Sequence, residues 1–420
     1  MTTATEVTGL AAARAAAGRL LAPPGPEDPY PDYAILRAHA PVLAAGPRVW
    51  LVSGYAECRD ILADPAFGVQ DAAWHDANRP RWREGAASAT LYQGVQSRNP
   101  PDHTRMRRVL GRCFTARRMA LLRDRVAALT HQFLDEVAAK GDGGAELDLM
   151  SALAFPLPVT VVNDLLGVPA GDRAEVHGLA GRVFNLTELI VSDEDQRSAD
   201  AAATVFRRYW RELIAERRRA PGPAGPGLTS QLIAAADAGE LSDEELLSSL
   251  IFLHGAGYGT TAALLGNATV ALLGDPALAA RLRGDPGLAP AVVDESLRHE
   301  APTQLTPRLA RQPAQAGSTQ AGGTLIPEGH LAVLLLGAAN RDPRRFPRPG
   351  SFDVDRPDNR PLSFGGGIHY CLGAPLSRME ATIVLPELVR RFPDLHIAGA
   401  PRWRRALRMR QLSSLPVRVG

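Results

Sequence analysis

The 420-residue chain has few cysteines, little net charge and no long apolar run, and each scarcity excludes a class of protein. Three cysteines, Cys58, Cys113 and Cys371, cannot build a disulfide framework, which favours a reducing compartment such as the cytoplasm. Because no run reaches roughly 18 apolar residues, we expect no membrane-spanning helix. The formal net charge is only +2 and gives no reason to expect nucleic acid as a partner.

Apolar periodicity predicts a mainly α protein with small β-sheets. Short apolar runs between glycines and prolines predict a hairpin at 42–52, strands within 301–337 and strands in the tail up to Gly420. With no internal repeat and no obvious boundary, we expect a single domain over residues 1–420. The predicted helices cover residues 55–64, 102–113, 116–139, 151–165, 171–187, 196–219, 228–238, 242–273, 276–283, 287–299 and 374–391.

Two other stretches lack a regular pattern. Residues 67–99 carry Trp74, Trp82 and Tyr92 among arginine, glycine and alanine. An irregular stretch of this length is usually functional, often as a loop that faces the substrate. Its aromatic rings either stack on an aromatic ligand or anchor the loop itself. Residues 221–227 are rich in proline and glycine and predict a linker between two helices.

The strongest chemical signal is the stretch Phe364–Gly373, which reads Phe-Gly-Gly-Gly-Ile-His-Tyr-Cys-Leu-Gly. Cys371 lies on this glycine-rich loop just before a predicted helix. Backbone N–H groups and the positive end of a helix dipole favour the thiolate form at such a place. A thiolate there is a metal ligand or a nucleophile. Cys58 and Cys113 have no comparable setting and are predicted to be structural.

Three further patterns accompany this loop. Glu295-x-x-Arg298 places opposite charges on one helix face, where they can pair. His103-x-x-x-Arg107 places two basic groups on one face, which suits binding of an anion. Residues 255–261 read Gly-Ala-Gly-Tyr-Gly-Thr-Thr within a long predicted helix. The glycines loosen that helix, because each costs roughly 1 kcal/mol relative to alanine.

The pattern Phe364-x-x-Gly367-x-His369-x-Cys371-x-Gly373 resembles the cysteine-loop signature of cytochromes P450. The similarity runs in order from about residue 34 to residue 418 and is closest to the soluble bacterial members. It implies the P450 fold, a triangular prism with a long central helix over the haem and a cysteine loop. It also implies a haem b cofactor with Cys371 as the axial iron ligand, whose thiolate favours O–O cleavage.

The resemblance assigns roles to the other patterns. Glu295 and Arg298 match a buried pair of the family that is joined by an arginine before the cysteine loop, for which Arg356 is the candidate. Contacts to the haem propionates are implied for His103, Arg107, Arg308 and His369, and further cofactor contacts for Phe364, Gly365 and Gly373.

Thr260 matches the alcohol that the family uses in proton delivery, but the acidic residue expected before it is replaced by Gly259. Three interpretations stay open. A water chain could replace the carboxylate. The enzyme could steer the oxidant to radical coupling or rely on a bulky polar substrate for the missing contacts. Peroxide could also replace O2.

Substrate-lining positions follow partly from helical periodicity and partly from the resemblance. Small residues on the Thr260 face of the helix indicate room for a large or flat substrate. His254 falls on a different face and is predicted to pack internally or lie at the surface. The predicted lining residues are Phe252, Gly255, Ala256, Tyr92 and Gln304.

The sequence therefore predicts a haem-thiolate monooxygenase that oxidises a hydrophobic small molecule in bacterial natural-product biosynthesis. The alternatives are a P450 that forms C–C, C–N or C–O bonds without oxygen insertion, and a non-catalytic haem sensor. We expect a cytoplasmic monomer without a membrane or nucleic-acid partner. Because no flavin or ferredoxin domain is evident, a separate ferredoxin and ferredoxin reductase are implied. The ferredoxin would dock near a set of basic residues, unless these form only a solvated surface: Arg107, Arg108, Arg344, Arg345 and Arg348.

Overall fold

A computed structural model describes residues 4–189, 191–219, 227–317 and 323–420. The linker predicted at residues 221–227 lies outside these ranges except for Gly227. The chain forms two compact units: the first comprises residues 1–68, 127–154 and 260–420, and the second comprises residues 69–126 and 155–259. The expectation of a single domain stays a prediction.

α-Helices account for most of the described chain, and each predicted helix is present within a few residues. The predicted helix 151–165 is divided into a π-helix at Met150–Ala154 and an α-helix that begins at Pro156. The α-helices are α1 (Ala4–Leu21), α2 (Tyr30–His39), α3 (Tyr55–Ala63), α4 (Ala72–Asn78), α5 (Ala86–Leu91), α6 (Asp102–Gly111), α7 (Ala116–Lys140), α8 (Pro156–Leu166), α9 (Arg173–Phe184), α10 (Asp193–Arg219), α11 (Leu228–Asp237), α12 (Asp243–Leu273), α13 (Pro276–Gly284), α14 (Ala289–His299), α15 (Leu336–Ala339) and α16 (Ala374–Arg391).

The described strands all belong to the first unit and form small sheets, as predicted. The largest sheet has the order β1-β2-β8-β5-β3, and the others are β4-β12-β9, β6-β7 and β10-β11. The strands are β1 (Val42–Gly46), β2 (Val49–Val52), β3 (Phe67–Gly68), β4 (Leu147–Asp148), β5 (Leu305–Ala310), β6 (Ala314–Ala316), β7 (Thr324–Ile326), β8 (Leu331–Leu335), β9 (His396–Ile397), β10 (Arg402–Trp403), β11 (Leu412–Ser414) and β12 (Pro416–Arg418).

Strand β8 is the centre of the largest sheet and is buried along most of its length. It pairs in parallel with β2 and antiparallel with β5. Leu334 of this strand joins Ile61 of α3 and Phe346 in one apolar core cluster. Because this cluster holds α3 against the sheet, it fixes a rigid support on which the cysteine loop rests.

The prediction that residues 67–99 are irregular is wrong, because this segment contains α4, α5 and two short 3-10 turns. The Asp71 side chain caps α4 by accepting from the Trp74 N–H at 3.0 Å. The Asn99 amide closes the base of the segment through bonds to Asp71 and to the backbone of Val69. Helices of seven and six residues leave too short a pattern for periodicity to detect.

Helix α12 starts with a capping box. The Ser242 hydroxyl accepts from the Glu245 N–H at 3.2 Å, and the Glu245 carboxylate accepts from the Ser242 N–H at 2.9 Å. The helix supplies residues up to Gly259 to the second unit and residues from Thr260 to the first. Among the described residues no single helix is long and apolar enough to cross a membrane, and α12 with α13 passes that test only as a pair bent by 109°.

Candidate haem site

Cys371 lies three residues before the first residue of α16, is half-buried and forms no disulfide. Its N–H donates to the carbonyl of Phe364 at 2.9 Å, and the Gly365 N–H donates to the carbonyl of Leu362 at 2.7 Å. These two bonds close the loop. Because α16 begins at Ala374, the sulfur is held ahead of a helix N-terminus, where amides and the helix dipole favour a thiolate.

Two glycines of the loop are required by its geometry. Gly365 and Gly367 have φ angles of +70° and +63°, a region that residues with a side chain rarely adopt. A Cβ atom on Gly367 would also overlap the carbonyl oxygen of Leu62 near the end of α3. The loop therefore rests on the backbone of α3, and this close approach requires glycine.

Phe364 is fixed at the start of the loop by a cation–π contact from α16. The guanidinium of Arg378 lies 5.1 Å from its ring centroid, and the same arginine is ion-paired with Asp294 of α14. The Tyr370 ring lies 6.3 Å from the Phe364 ring, and His369 between them in sequence is half-buried. The aromatic side chain therefore has a defined place beside the loop that carries the thiol.

Glu295 is the centre of a fully buried ion network in the first unit. Its carboxylate accepts two bonds from Arg298, at 2.7 and 2.8 Å, in bidentate geometry. Arg356 approaches the same two oxygens at 3.4 and 3.5 Å. The N–H of Asp353 and the amide of Asn359 complete the shell at 2.7 and 3.0 Å. The structure thus brings together the three residues that the sequence assigned to one buried network.

Arg298 and Arg356 also bind the backbone of the segment before the cysteine loop. Arg298 donates to the carbonyls of Asn340, Pro349 and Ser351 at 2.8 to 3.1 Å. Arg356 donates to several carbonyls of the same segment, including that of Pro347 at 2.6 Å. The network therefore ties α14 to the chain that leads into the loop.

Arg308 on β5 is a buried cation, with 6% of its surface exposed. It donates to the Thr306 hydroxyl and to the Pro307 carbonyl, and no carboxylate among the described residues forms an ion pair with it. Burial lowers the pKa of its guanidinium to about 10. Since a buried charge without a counter-ion is costly, this arginine calls for an anionic ligand.

In the second unit, α6 carries the His103 and Arg107 pair. His103 is buried and Arg107, one turn later, is half-buried. Arg105 points elsewhere, because it binds the Glu245 carboxylate at 2.6 and 2.9 Å, and Arg108 is exposed. Burial thus separates His103 and Arg107 from the exposed Arg108, and the ion pair with Glu245 separates Arg105 from both.

The glycines of α12 do not all leave open space, which corrects the expectation from sequence. A Cβ atom on Gly255 would overlap the ring of Phe184, and one on Gly257 would press on Val162 at 2.7 Å. At Gly259, by contrast, no heavy atom of the described chain lies within 4 Å of the corresponding point. Phe184 also packs on Phe252, with ring centroids 5.9 Å apart. Of these three glycine positions, only Gly259, where the acid is missing, has open space among the described residues.

Thr260 and Thr261 follow Gly259 and differ in their surroundings. Thr261 is buried and its hydroxyl donates to the Ser377 hydroxyl of α16 at 3.1 Å. Thr260 and Ala256 are half-buried and share one face of α12 by helical periodicity. Thr261 therefore links α12 to α16, while Thr260 lies on the face of α12 that the sequence analysis predicts to face the substrate.

Two predicted substrate-lining residues lie in packed surroundings. Gln304 is 1% exposed, donates to the Ala301 carbonyl at 2.6 Å, and contacts Gly337 so closely that no Cβ fits there. Tyr92 stacks on His75 with ring centroids 3.8 Å apart, and the buried Trp82 lies 5.8 Å from it. The structure therefore favours the anchoring role for this aromatic cluster, and a packing role for Gln304.

The arginines proposed as a basic docking surface are largely neutralised. Arg344 pairs with Asp342 and Glu57, Arg345 with Asp358, and Arg348 with Asp353. Surface pairs of this kind contribute little to stability but reduce the local positive potential. Carboxylates therefore lie beside the cations at these three positions, whereas Arg108 is exposed. That these arginines contact a ferredoxin stays a prediction.

Sequence reasoning missed one buried ionisable group, Glu380, and left open whether a second, His254, is buried. Glu380 on α16 is fully buried, and burial raises the pKa of its carboxyl well above the usual value. His254 on α12 is 1% exposed, so its predicted packing role is confirmed, and burial lowers its pKa to about 3. No motif marks either residue. The signal that could have identified their burial is an ionisable residue among apolar residues on one face of a helix.

A cysteine on a glycine loop before a helix, together with the buried Arg308 that has no carboxylate partner among the described residues, is the arrangement expected of a haem-thiolate protein. The family model "Cytochrome P450" matches residues 287–399. The chain is 39% identical to the cytochrome P450 monooxygenase PikC of Streptomyces venezuelae, over 93% of this chain and 91% of that protein. It is 35% identical to the 6-deoxyerythronolide B hydroxylase of Saccharopolyspora erythraea, over 93% of this chain and 96% of that protein.

A solved structure agrees with these relatives. The P450 enzyme CxnD for C–S bond formation in chuangxinmycin biosynthesis superposes with a TM-score of 0.81, at 32% identity, covering 94% of each chain. The chain belongs to the cytochrome P450 family, a family of monooxygenases. Its cofactor is haem. Arg308 fits that group, because a buried guanidinium that has no carboxylate partner in the described part of the chain suits a propionate.

Proposed function

We propose that this protein is a haem-thiolate monooxygenase that hydroxylates, or otherwise oxidises, a hydrophobic small molecule in bacterial natural-product biosynthesis. The observation that carries this proposal is the Cys371 thiol, held at the N-terminus of α16 by a loop whose Gly367 contacts α3 directly. The names of the relatives support the substrate class, since one hydroxylates 6-deoxyerythronolide B.

The residues that would hold the cofactor fall into two sets. Cys371 would be the axial iron ligand, and Phe364, Gly365 and Gly373 would shape the loop around it. Arg308, His369, His103 and Arg107 would donate to the two propionates. The Glu295, Arg298 and Arg356 network would act on the loop through the backbone carbonyls that it binds, without touching the cofactor.

Haem supplies the activation of O2. In the overall reaction, substrate, O2, two electrons and two protons give a hydroxylated product and water, so the protein must deliver protons. Thr260 would hold a proton donor at its hydroxyl. Because no heavy atom of the described residues lies within 4 Å of the point where a Cβ of Gly259 would be, we propose that water occupies the place of the usual carboxylate.

The electrons would come from a ferredoxin that is reduced by a ferredoxin reductase. With Arg344, Arg345 and Arg348 paired to acids, we place the docking surface on the cysteine loop itself. Ile368 and Tyr370 are 53% and 41% exposed there, and large exposed apolar side chains mark contact surfaces. We further propose a cytoplasmic monomer with no nucleic-acid or membrane partner.

A second candidate function is oxidative bond formation without oxygen insertion. It is favoured by Gly259, which removes the usual acid, and by the similarity to CxnD, an enzyme for C–S bond formation. Turnover under labelled O2 with a surrogate ferredoxin and reductase separates the two reactions. Label in the product supports hydroxylation, and an oxidised product without label supports coupling. No turnover with any ligand that shifts the haem spectrum contradicts both.

A further inference from the structure

His254 and Trp210 form a buried polar pair that lies entirely within the second unit. Both are essentially inaccessible, with 1% and 0% of their surfaces exposed. Their ring centroids are 6.2 Å apart with the planes at 73°, and Phe206 packs edge-on against the imidazole at 5.6 Å. The pair therefore joins α10 to the N-terminal half of α12 across an aromatic wall.

The polar atoms of this pair have no hydrogen-bond partner among the described residues. These atoms are both ring nitrogens of His254 and the indole Nε1 of Trp210. The buried Nδ1 of His177 on α9 also has no hydrogen-bond partner among the described residues. The charge of His177 contributes to lowering the pKa of His254. Buried polar groups in folded proteins are almost always bonded, so several orphaned atoms in one place point to a missing partner.

The chemistry of the two rings defines that partner. An indole N–H can only donate, and a neutral imidazole has one nitrogen that accepts. Burial keeps His254 neutral at ordinary pH, since it lowers the pKa to about 3. The two rings could satisfy each other directly, yet no N–H···N bond joins them. A molecule between them must accept from Trp210 and donate to His254, and water does both.

We propose that the second unit contains an internal water site bounded by α9, α10 and α12, in which an ordered water bridges Trp210 Nε1 and His254. The Nδ1 atom of His177 is a further polar group to which a second water would bond. Phe206 closes the site on its apolar side. The site is independent of the haem function, because it uses neither the cysteine loop nor the Thr260 face of α12.

The direct test is a crystal structure of the haem-loaded protein at a resolution that shows ordered water. Density within hydrogen-bond distance of both Trp210 Nε1 and a ring nitrogen of His254 supports the site. A dry space between the two rings overturns it.

A stability test uses the opposite consequences of a wet and a dry site. If water bridges the pair, His254→Phe leaves the Trp210 N–H unbonded, and we expect Tm to fall by roughly 2–4 °C or more. His254→Gln keeps a donor and an acceptor and should restore much of that loss. If the site is dry, replacing an unsatisfied imidazole by an apolar ring leaves Tm unchanged or raises it, and this result overturns the proposal.

A double-substitution cycle with Trp210→Phe gives a further readout. When one water serves both rings, the second substitution should lower Tm less than it does alone. Strictly additive shifts in Tm contradict a shared water. Phe206→Leu is the matched control, since it removes packing from the same wall without touching a polar atom.

Discussion

Replacing Glu295 by alanine removes the centre of the buried network and leaves two guanidinium groups, Arg298 and Arg356, without their carboxylate. Glu295 and Arg298 are completely inaccessible, so water cannot take over. Removing one partner of a buried ion pair costs about 3–5 kcal/mol. Because four hydrogen-bonding groups lose their acceptor here, we expect the upper end of that range. This loss is a large part of the roughly 5–15 kcal/mol that stabilises a typical protein.

The assay is the haem content of the purified variant, read from Soret absorbance per mole of chain, together with denaturant unfolding. We expect Glu295→Ala to lose most of its haem, because the network holds the segment that leads into the cysteine loop. Asp355→Ala is the matched control. Asp355 is the residue before Arg356, and its substitution breaks an exposed ion pair with Arg281. This loss should cost at most about 1 kcal/mol. Normal haem content and unfolding free energy in Glu295→Ala would refute the reasoning.

Three further predictions follow from the geometry. Gly367→Ala should abolish the normal haem spectrum, since its Cβ overlaps the Leu62 carbonyl, whereas Gly350→Ala, where a Cβ meets no described atom within 4 Å, should keep it. Gly259→Asp has room for its Cβ atom and should raise the fraction of NADH consumption coupled to product; unchanged coupling would argue that the lost carboxylate does not limit the reaction. His254 should make the protein acid-sensitive. Its folded pKa of about 3 lies below the unfolded value of 6.5, so the unfolded state binds the extra proton and stability falls as pH drops through that window. The loss between pH 6.5 and 5 should be about 2 kcal/mol, measured by unfolding, and His254→Gln should remove it; an unaltered pH profile would contradict this assignment.

The elements and the cofactor could be predicted because their signals are local. Long helices such as α10 and α16 carry many turns of periodicity, and the cysteine loop is a contiguous motif. Glu295 and Arg298 were assigned together from their spacing and the resemblance to P450s. Their role as the centre of a network with several backbone carbonyls depends on contacts between distant parts of the chain.

Other features depend on neighbours that no local pattern reveals. Gly255 and Gly259 look alike in sequence, but Phe184 fills the space at the first and nothing described fills it at the second. Gln304 is predicted from the sequence to line the substrate site, but in the fold its side chain contacts Ala301 and Gly337. Tertiary packing determines whether such positions are open or filled, and it cannot be inferred from the local pattern of a single sequence.

The ferrous–carbon monoxide spectrum tests the central claim most directly. If the Cys371 thiolate ligates the haem iron, the wild-type Soret band should move to the red position typical of thiolate-bound haem, and Cys371→Ser should lose that band. A wild-type band that stays at the position of histidine-bound haem, or a red band that persists in Cys371→Ser, would contradict it.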